Sequence, residues 1–382
     1  MANPRQPVQR IESLGDLRDR FAASLEYYRC RGGVLFISYC RYWEQHGFVQ
    51  QSLARFLTEN GVRVTWLDAA GWRRYTPTLY WQSELLKVRQ IWRLPGERVP
   101  PIRYLSVGLQ VRDIAREIQA LGGNPVVWVQ AGLEPGMAER LPYIDVFSTF
   151  DDPYRHPADD PLCHKARLII CQNRFTESLL DVIPEDRRVQ LLPPVDLRDR
   201  NFGSTPFIFP ARFPKRVMGY IGSHRSGGFD TFMLEHFIRN LPDWGFLLMG
   251  RTDARGMGDV ERLKRHPNFL HIPWAKRSEL ASVWSQIDVS LLLYRNLPSQ
   301  DGAFPVKLVE GLHFGVPAVG TQVNKTRDIT DHFPCSSFAD QLVEAAVKTA
   351  DWPKEKVQRL YDHFRFEMDP RLQLATVTER LK

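Results

Sequence analysis

Short, mostly apolar runs alternate with stretches of helical periodicity along this chain, and the alternation limits the folds that it can adopt. Runs that are apolar at nearly every position, and not at every second one, indicate strands buried on both faces of a parallel sheet. In the first half of the chain these runs lie at residues 34–37, 62–67, 125–129, 144–147 and 168–171. The first half therefore predicts an open α/β sheet covered by helices.

The pattern breaks and then begins again in the second half. Residues 192–195 and 201–214 are rich in proline and phenylalanine and have little periodicity, as is typical of a connector between domains. Two α/β domains in tandem place a ligand cleft at the carboxyl ends of both sheets. Further strand-like runs lie at residues 217–222, 245–250, 268–272, 287–292 and 316–320. The predicted parts are an N-terminal domain at 1–197, a linker at 198–215, a second domain at 216–350, and a helical tail at 351–382 that packs back toward the first domain.

The composition excludes several classes of protein. Of the 382 residues, 43% are hydrophobic and 25% are charged, as in folded domains and unlike disordered chains. The net charge of +7 is too small to indicate a nucleic-acid-binding protein. No apolar run approaches the roughly 18 residues that span a bilayer, and the polar N-terminus predicts no secretory signal. The five scattered cysteines form neither a zinc nor a disulfide pattern, so we expect a reduced, cytoplasmic protein without a metal site.

The segment 301–320 carries the most informative chemistry. Pro305 and Gly315 delimit a short helix in which Lys307 and Glu310, three residues apart, share one face. The free N–H groups of a helix N-terminus, together with a lysine, suit a diphosphate, and a carboxylate accepts both hydroxyls of a ribose. The alternative is an exposed Lys–Glu pair on a surface helix, which is the commoner situation for such a pair taken alone.

The order of the segments around this helix resembles a known family. Gly-Tyr-Ile-Gly at 219–222, Met-Gly-Arg at 249–251, Ile-Asp-Val at 287–289 and the helix start at 305–310 follow one another as in the donor-binding domain of GT-B glycosyltransferases. The resemblance covers roughly 105 residues and includes group-1 or family-4-like transferases of bacterial surface polysaccharides and of the teichuronic-acid type. It implies a GT-B fold, in which two Rossmann-like domains face each other across a cleft.

The resemblance also implies roles for individual residues. Lys307 would lie against the donor diphosphate and Glu310 on the ribose, while the loop from Gly222 to Arg225, which includes His224, would face the cleft near the phosphates. For Arg225 and Arg251 the alternative is an arginine on a solvated loop. The nucleotide-binding residues that the resemblance implies are Lys307, Glu310, Gly222, Ser223, Arg225 and Arg251.

One position departs from the family pattern. Many retaining members have a carboxylate eight residues before the glutamate, on the donor sugar, whereas this chain has Gly302 there, with Asp301 beside it. Either Asp301 takes this role or the donor sugar is held in another way. The resemblance therefore leaves the donor sugar and the stereochemistry of transfer open.

In the first half a carboxylate pair follows a predicted strand. Segments 36–39 and 61–64 look like the opening of the acceptor domain in the same superfamily. The segment 148–152, which ends in Asp151 and Asp152, comes directly after the strand at 144–147. A carboxylate at the carboxyl end of a strand is placed to deprotonate an acceptor hydroxyl. Xanthan-type glucuronosyltransferases resemble this arrangement, with an aspartate as the base. The alternative is an Asp-Asp-Pro turn that caps the next element. Asp151 as base implies an inverting displacement, and its absence would imply a retaining front-side mechanism.

The segment 71–104 combines aromatic and cationic residues. Three tryptophans and three tyrosines lie among seven Arg and Lys and two Glu. Such a mixture suits a peripheral membrane contact at which a lipid-linked acceptor is presented. The alternative is a helical excursion whose aromatic rings are core and whose arginines are solvated.

These observations predict a metal-independent glycosyltransferase of the hexosyltransferase type. It would move a sugar from a nucleoside diphosphate sugar to a saccharide or lipid-linked saccharide, in surface or exopolysaccharide synthesis. We expect it in the cytoplasm or at the inner face of the membrane, with no nucleic-acid partner and no cofactor, because the nucleotide-sugar is a substrate. Two alternatives stay open: a nucleotide-sugar epimerase of the same architecture, and a nucleotide-sugar-binding protein without catalysis.

Overall fold

The structure of the chain is a computed structural model, and only part of the chain is described by it. The described residues are 14–38, 49–68, 79–91, 94, 99–130, 136–149, 159–195, 205–224, 228–296 and 303–382.

The first half folds around a sheet whose described strands run in the order β3-β4-β2-β1-β5-β6-β7-β8. Its strands are β1 Val34–Ser38, β2 Val64–Asp68, β3 Leu79–Gln82, β4 Leu86–Gln90, β5 Val126–Gln130, β6 Val146–Thr149, β7 Leu168–Cys171 and β8 Arg188–Gln190. Only the pairing of β3 with β4 is antiparallel among these strands. Every residue of β1, β2, β5, β6 and β7 is buried, as the apolar runs predict.

The second half folds around a separate parallel sheet in the order β11-β10-β9-β12-β13-β14. Its described strands are β9 Val217–Ile221, β10 Gly245–Met249, β11 Phe269–Ile272, β12 Val289–Leu292, β13 Ala318–Thr321 and β14 Cys335–Ser336. The chain moves outward from β9 to β11 and then returns to the other side of β9 to form β12. The strand order therefore reverses between β9 and β12, where a crevice opens at the carboxyl ends of the strands.

Helices cover the faces of both sheets. They are α1 Leu14–Cys30, α2 Val49–Glu59, α3 Pro100–Ala120, α4 Gly136–Arg140, α5 Pro161–Lys165, α6 Arg174–Ser178, α7 Thr231–Asn240, α8 Ala254–Leu263, α9 Leu280–Trp284, α10 Lys307–His313, α11 Ala339–Ala350, α12 Lys354–Glu367 and α13 Pro370–Leu381. Among the described residues, no helix is both long enough and apolar enough to cross a bilayer.

The described part of the predicted linker packs on the second half. Thr205 N–H donates to Ser278 O at 3.1 Å, and Phe207 N–H donates to Ser282 Oγ at 2.9 Å. The ring of Phe209 lies 5.2 Å from that of Phe213 and packs with it against the core of the second half. The segment from 205 to 213 therefore packs against the helices of the second half.

The two helices of the C-terminal tail pack on different halves. Tyr361 of α12 is 2.9 Å from Nδ1 of His313 in α10, which belongs to the second half. By contrast, Leu374, Val377 and Leu381 of α13 belong to the core of the first half, where they pack with strand residues such as Phe36. The chain therefore returns to the first half after the second half is complete.

Candidate active site

The carboxyl edges of the two sheets meet at Asp328. This aspartate follows β13, and its carboxylate accepts hydrogen bonds from Arg174 N–H at 3.1 Å and from Gln190 Nε2 at 2.8 Å. Arg174 begins α6 just after β7, and Gln190 ends β8. Burial raises the pKa of Asp328, and the bonds from Arg174 and Gln190 oppose that rise. Because all three residues lie at or after the carboxyl ends of strands, the crevices of the two sheets open toward each other.

Lys307 and Glu310 lie at the carboxyl edge of the second sheet. They occupy the first turn of α10, which connects β12 to β13 and so begins beside the reversal of strand order. Lys307 Nζ is 2.9 Å from Glu310 Oε2, and the side chains are 37% and 6% exposed, respectively. The glutamate is thus buried, unlike a member of the exposed surface pair that the sequence left as an alternative.

Packing fixes the position of α10. Leu308, Val309 and Leu312 are buried in the core of the second half, so the opposite face of the helix is the one that carries the pair. Gly311 lies against the ring of Trp284, at a distance that leaves little room for a larger residue. The helix therefore holds Glu310 on a rigid element, as a binding residue requires.

Gly222 and Ser223 form a turn directly after β9, on the other side of the reversal. Gly222 N–H donates to Met249 O at 2.8 Å, and Ser223 Oγ donates weakly to Arg251 O at 3.4 Å. A side chain at Gly250, which has a φ of +141°, would clash with the carbonyl oxygen of Gly222. The structure thus brings Gly222, Ser223 and the exposed Arg251 together at one edge.

The side chain of His224, the next residue after Ser223, points into the protein interior. It is 2% exposed, its Nδ1 lies 3.3 Å from Gly222 O, and its ring centroid is 5.2 Å from that of His271. Burial lowers the pKa of His224 to about 4, so the ring is neutral near pH 7. The imidazole therefore stabilises the turn and supplies no positive charge to the cleft. The sequence around His224 does not indicate that its side chain points inward.

Five of the predicted site residues lie outside the described residues: Asp151, Asp152, Arg225, Asp301 and Gly302. The same holds for residues 71–78, 92–93 and 95–98 of the aromatic and cationic segment. Their roles stay predictions.

The carboxyl edge of the first sheet is lined by buried polar residues. Ser38, at the end of β1, contacts Gln130, at the end of β5, and both are almost completely buried. Ser148 Oγ accepts a hydrogen bond from Trp128 Nε1 at 2.5 Å, and Thr149 Oγ1 donates to Ile170 O at 3.2 Å. Among the described residues of the whole chain, no three His, Cys, Asp or Glu side chains are grouped as a metal site.

Comparisons with known proteins bear on the fold and on part of the sequence. No model of a known protein family matches the chain. A protein of Bacillus subtilis (strain 168) that is named as a teichuronic acid biosynthesis glycosyltransferase, TuaH, is 32% identical over 110 residues. The matched region is 29% of this chain and 28% of TuaH, so the chain matches little more than a quarter of that relative's length.

Solved structures resemble the chain over nearly its whole length. A sucrose-phosphate synthase from Thermosynechococcus elongatus has a TM-score of 0.64 at 16% identity, covering 91% of this chain and 98% of its own. A trehalose 6-phosphate synthase from Burkholderia multivorans has a TM-score of 0.65 at 13% identity, with the same coverage. A structure described as trehalose-6-phosphate from E. coli with bound UDP-2-fluoro glucose has a TM-score of 0.65 at 9% identity, again with 91% and 98% covered. The predicted fold is confirmed: the chain has the GT-B architecture of two Rossmann-like domains.

Proposed function

We propose that the chain is a glycosyltransferase that moves a sugar from a nucleoside diphosphate sugar to a saccharide or lipid-linked saccharide in surface or exopolysaccharide synthesis. The observation that carries the proposal is the buried Glu310, paired with Lys307 beside the reversal of strand order in a GT-B fold. The likeness to a protein named for teichuronic acid biosynthesis supports the polysaccharide setting.

The donor would lie along the carboxyl edge of the second sheet. The Glu310 carboxylate accepts the two ribose hydroxyls, while Lys307 leaves Glu310 and moves to the diphosphate. Gly222 allows the backbone to approach the phosphates closely, and the exposed Arg251 adds a cation beside it. UDP-2-fluoro glucose in the E. coli structure of the same fold supports a nucleotide-sugar as the ligand class.

The remaining nucleotide and sugar contacts would come from predicted residues outside the described part of the chain. Arg225 follows the Gly222 turn and would add positive charge at the diphosphate. Asp301 and Gly302 lie shortly before α10 and would border the donor sugar. A carboxylate at Asp301 accepts hydrogen bonds from sugar hydroxyls, so this residue would help to select the sugar.

The chemistry requires a base for the acceptor hydroxyl and positive charge for the leaving group. Asp151, with Asp152 as the alternative, comes shortly after β6 in the sequence and would take the proton of the hydroxyl. The acceptor oxygen then forms a bond to the anomeric carbon as the bond to the diphosphate breaks. Lys307 and Arg225 would stabilise the negative charge on the departing nucleoside diphosphate. This sequence of events inverts the anomeric configuration.

A peripheral membrane contact would bring a lipid-linked acceptor to this cleft. The start of α3 exposes apolar side chains: Val99 is 50% exposed, Tyr104 69% and Leu105 61%. The Arg140 guanidinium lies 3.7 Å from the centre of the Tyr104 ring, so a cation accompanies them. Aromatic, apolar and cationic residues together favour an anionic membrane surface. Tyr104→Ser with Leu105→Ser should reduce sedimentation with phosphatidylglycerol vesicles, and unchanged sedimentation would refute the contact.

Donor binding is testable by calorimetry with a panel of UDP-, GDP-, ADP-, CDP- and TDP-sugars. We expect one nucleotide class to bind and Glu310→Gln or Lys307→Ala to weaken it about tenfold or more. A matched control is the exposed pair Glu344 and Lys348 on α11, at 2.5 Å, whose Gln and Ala variants should change the affinity less than about twofold. Absence of binding by the whole panel, or equal effects of the two pairs, would refute the donor site.

Product analysis separates the transferase from its alternatives. A glycosyltransferase releases nucleoside diphosphate only when an acceptor is present. An epimerase converts the nucleotide-sugar without an acceptor, and a binding protein converts nothing. Measurement of nucleoside diphosphate with and without a mixture of saccharide and lipid-linked acceptors therefore distinguishes the three.

A further inference from the structure

Two buried tyrosines lie beneath the turn after β9. Tyr220 is the penultimate residue of β9, and Tyr294 comes two residues after the end of β12, so they flank the reversal of strand order. They are 6% and 5% exposed, and their ring centroids are 6.2 Å apart in an edge-on arrangement. Neither tyrosine belongs to the proposed donor-binding or catalytic residues.

The hydroxyls of these tyrosines form a relay that ends on the turn. The Tyr294 hydroxyl interacts with the Tyr220 hydroxyl, and Tyr220 donates to Ser223 O at 3.0 Å. Burial raises the pKa of Tyr220 to about 12, and it also raises the pKa of Tyr294. Both groups therefore keep their protons near pH 7, so the Tyr220 hydroxyl carries the proton that it donates to Ser223 O.

The far end of the relay is anchored to the next strand. Thr321 Oγ1 accepts Tyr294 N–H at 2.8 Å and donates to Tyr294 O at 2.7 Å. Lys325 Nζ lies 4.3 Å from the centre of the Tyr294 ring, and the ring of Phe229 lies 4.6 Å from that of Tyr220. The relay thus connects the turn after β9 to residues after β12 and β13.

The turn is held from its other side as well. His224 N–H donates to Arg251 O at 3.0 Å, and Thr252 Oγ1 donates to His224 O at 2.7 Å. With Ser223 O fixed by Tyr220 and His224 N–H fixed by Arg251, the peptide between these two residues has one orientation. Within the described part of the chain, no backbone carbonyl accepts a hydrogen bond from Ser223 N–H.

We propose that Tyr220 and Tyr294 are positioning residues that orient the Gly222–His224 turn toward the diphosphate of the donor. The inference rests on the proposed donor site and goes beyond it, because neither tyrosine would touch the donor. The two hydroxyls act in series through a single carbonyl, Ser223 O.

The test removes one oxygen at a time with Tyr220→Phe, Tyr294→Phe and the double variant. Calorimetry with UDP, GDP, ADP, CDP and TDP identifies the nucleoside diphosphate that binds the unaltered chain. Its affinity should fall about fivefold in each single variant, because one net hydrogen bond is lost, and hardly further in the double variant. In turnover assays the donor KM should rise while the acceptor KM stays unchanged, a split that general loosening of the fold does not produce.

Tyr28 offers a matched control in the first half. It is completely buried, and its hydroxyl donates to Leu374 O at 3.4 Å, so Tyr28→Phe also removes a buried tyrosine hydroxyl. We expect this variant to leave the nucleoside diphosphate affinity unchanged. If Tyr220→Phe binds as the unaltered chain does while Glu310→Gln binds weakly, the relay is refuted and the donor site stands. If no nucleoside diphosphate binds the unaltered chain, both the relay and the donor site are refuted.

Discussion

The two sheets reverse their strand order at corresponding places but carry different side chains at their carboxyl edges. In both, the strand order reverses beside the first strand, between β1 and β5 in one half and between β9 and β12 in the other. The described edge of the first sheet pairs the uncharged Ser38 and Gln130 and carries the buried Asp68 at the end of β2, whereas the second carries Lys307 with a buried Glu310. Topology thus locates both crevices, and the residues at the strand ends decide which ligand each one suits.

The largest expected effect tests the proposal that the first half supplies the base for the acceptor and the second half binds the donor. Asp151→Asn should lower kcat about 10²- to 10⁴-fold, because the acceptor hydroxyl loses its base. The donor affinity should stay within about twofold of the unaltered chain, since the donor binds the other edge. Steady-state kinetics and calorimetry measure the two quantities. Asp152→Asn is the control, and unchanged turnover in Asp151→Asn would rule out this base.

A core variant in α13 tests whether the two halves unfold independently of each other. Leu374 is 0% exposed within the core of the first half, so Leu374→Ala should lower the free energy of unfolding by about 2–5 kcal/mol. Hydrogen exchange should locate the loss in the first sheet. Leu360→Ala in α12 is the control, because Leu360 is only partly buried and packs on the second half. Protection lost equally from both sheets in Leu374→Ala would show that the halves unfold as one.

A pair of glycines tests whether strain at a carboxyl edge affects binding. Gly33 and Gly250 have φ values of +126° and +141°, and a side chain at either would clash with a backbone carbonyl. Each Gly→Ala variant should therefore lose about 1–3 kcal/mol of unfolding free energy in a urea titration. Only Gly250→Ala should also weaken nucleotide binding, because its clash is with Gly222. Equal nucleotide affinities of the two variants would contradict a donor site at this turn.

The smallest expected effect is a pH dependence in the second half. The folded pKa of His224, about 4, lies below its ordinary value of 6.5, so folding favours the neutral ring. The stabilisation is fully present above pH 6.5 and is lost as the pH falls toward 4, by about 2 kcal/mol between pH 7 and 5. Unfolding titrations at both pH values measure this loss. His224→Gln should reduce it, and an unchanged loss would assign the pH dependence to other groups.

The sequence predicts the strands of this fold well because strands that are buried on both faces are apolar at nearly every position. The apolar run at 245–250 coincides with β10, Gly245–Met249, to within a residue. The spacing of Lys307 and Glu310 likewise places both on one face of α10. The inward orientation of the His224 side chain and the contact of Asp328 with Arg174 cannot be predicted from periodicity in the sequence. They depend on contacts between segments distant in the sequence, such as the 154 residues that separate Arg174 from Asp328.

The position of α13 has a consequence for the order in which the nascent chain can fold. The helix completes the core of the first half, yet about 180 residues separate the end of β8 from its start, which is roughly 10–40 s of synthesis. During that interval an apolar face of the first half stays uncovered on the ribosome. The second half, whose core uses residues up to Met368, is finished earlier. The half that is made first therefore completes its core only with a helix that is made after the second half.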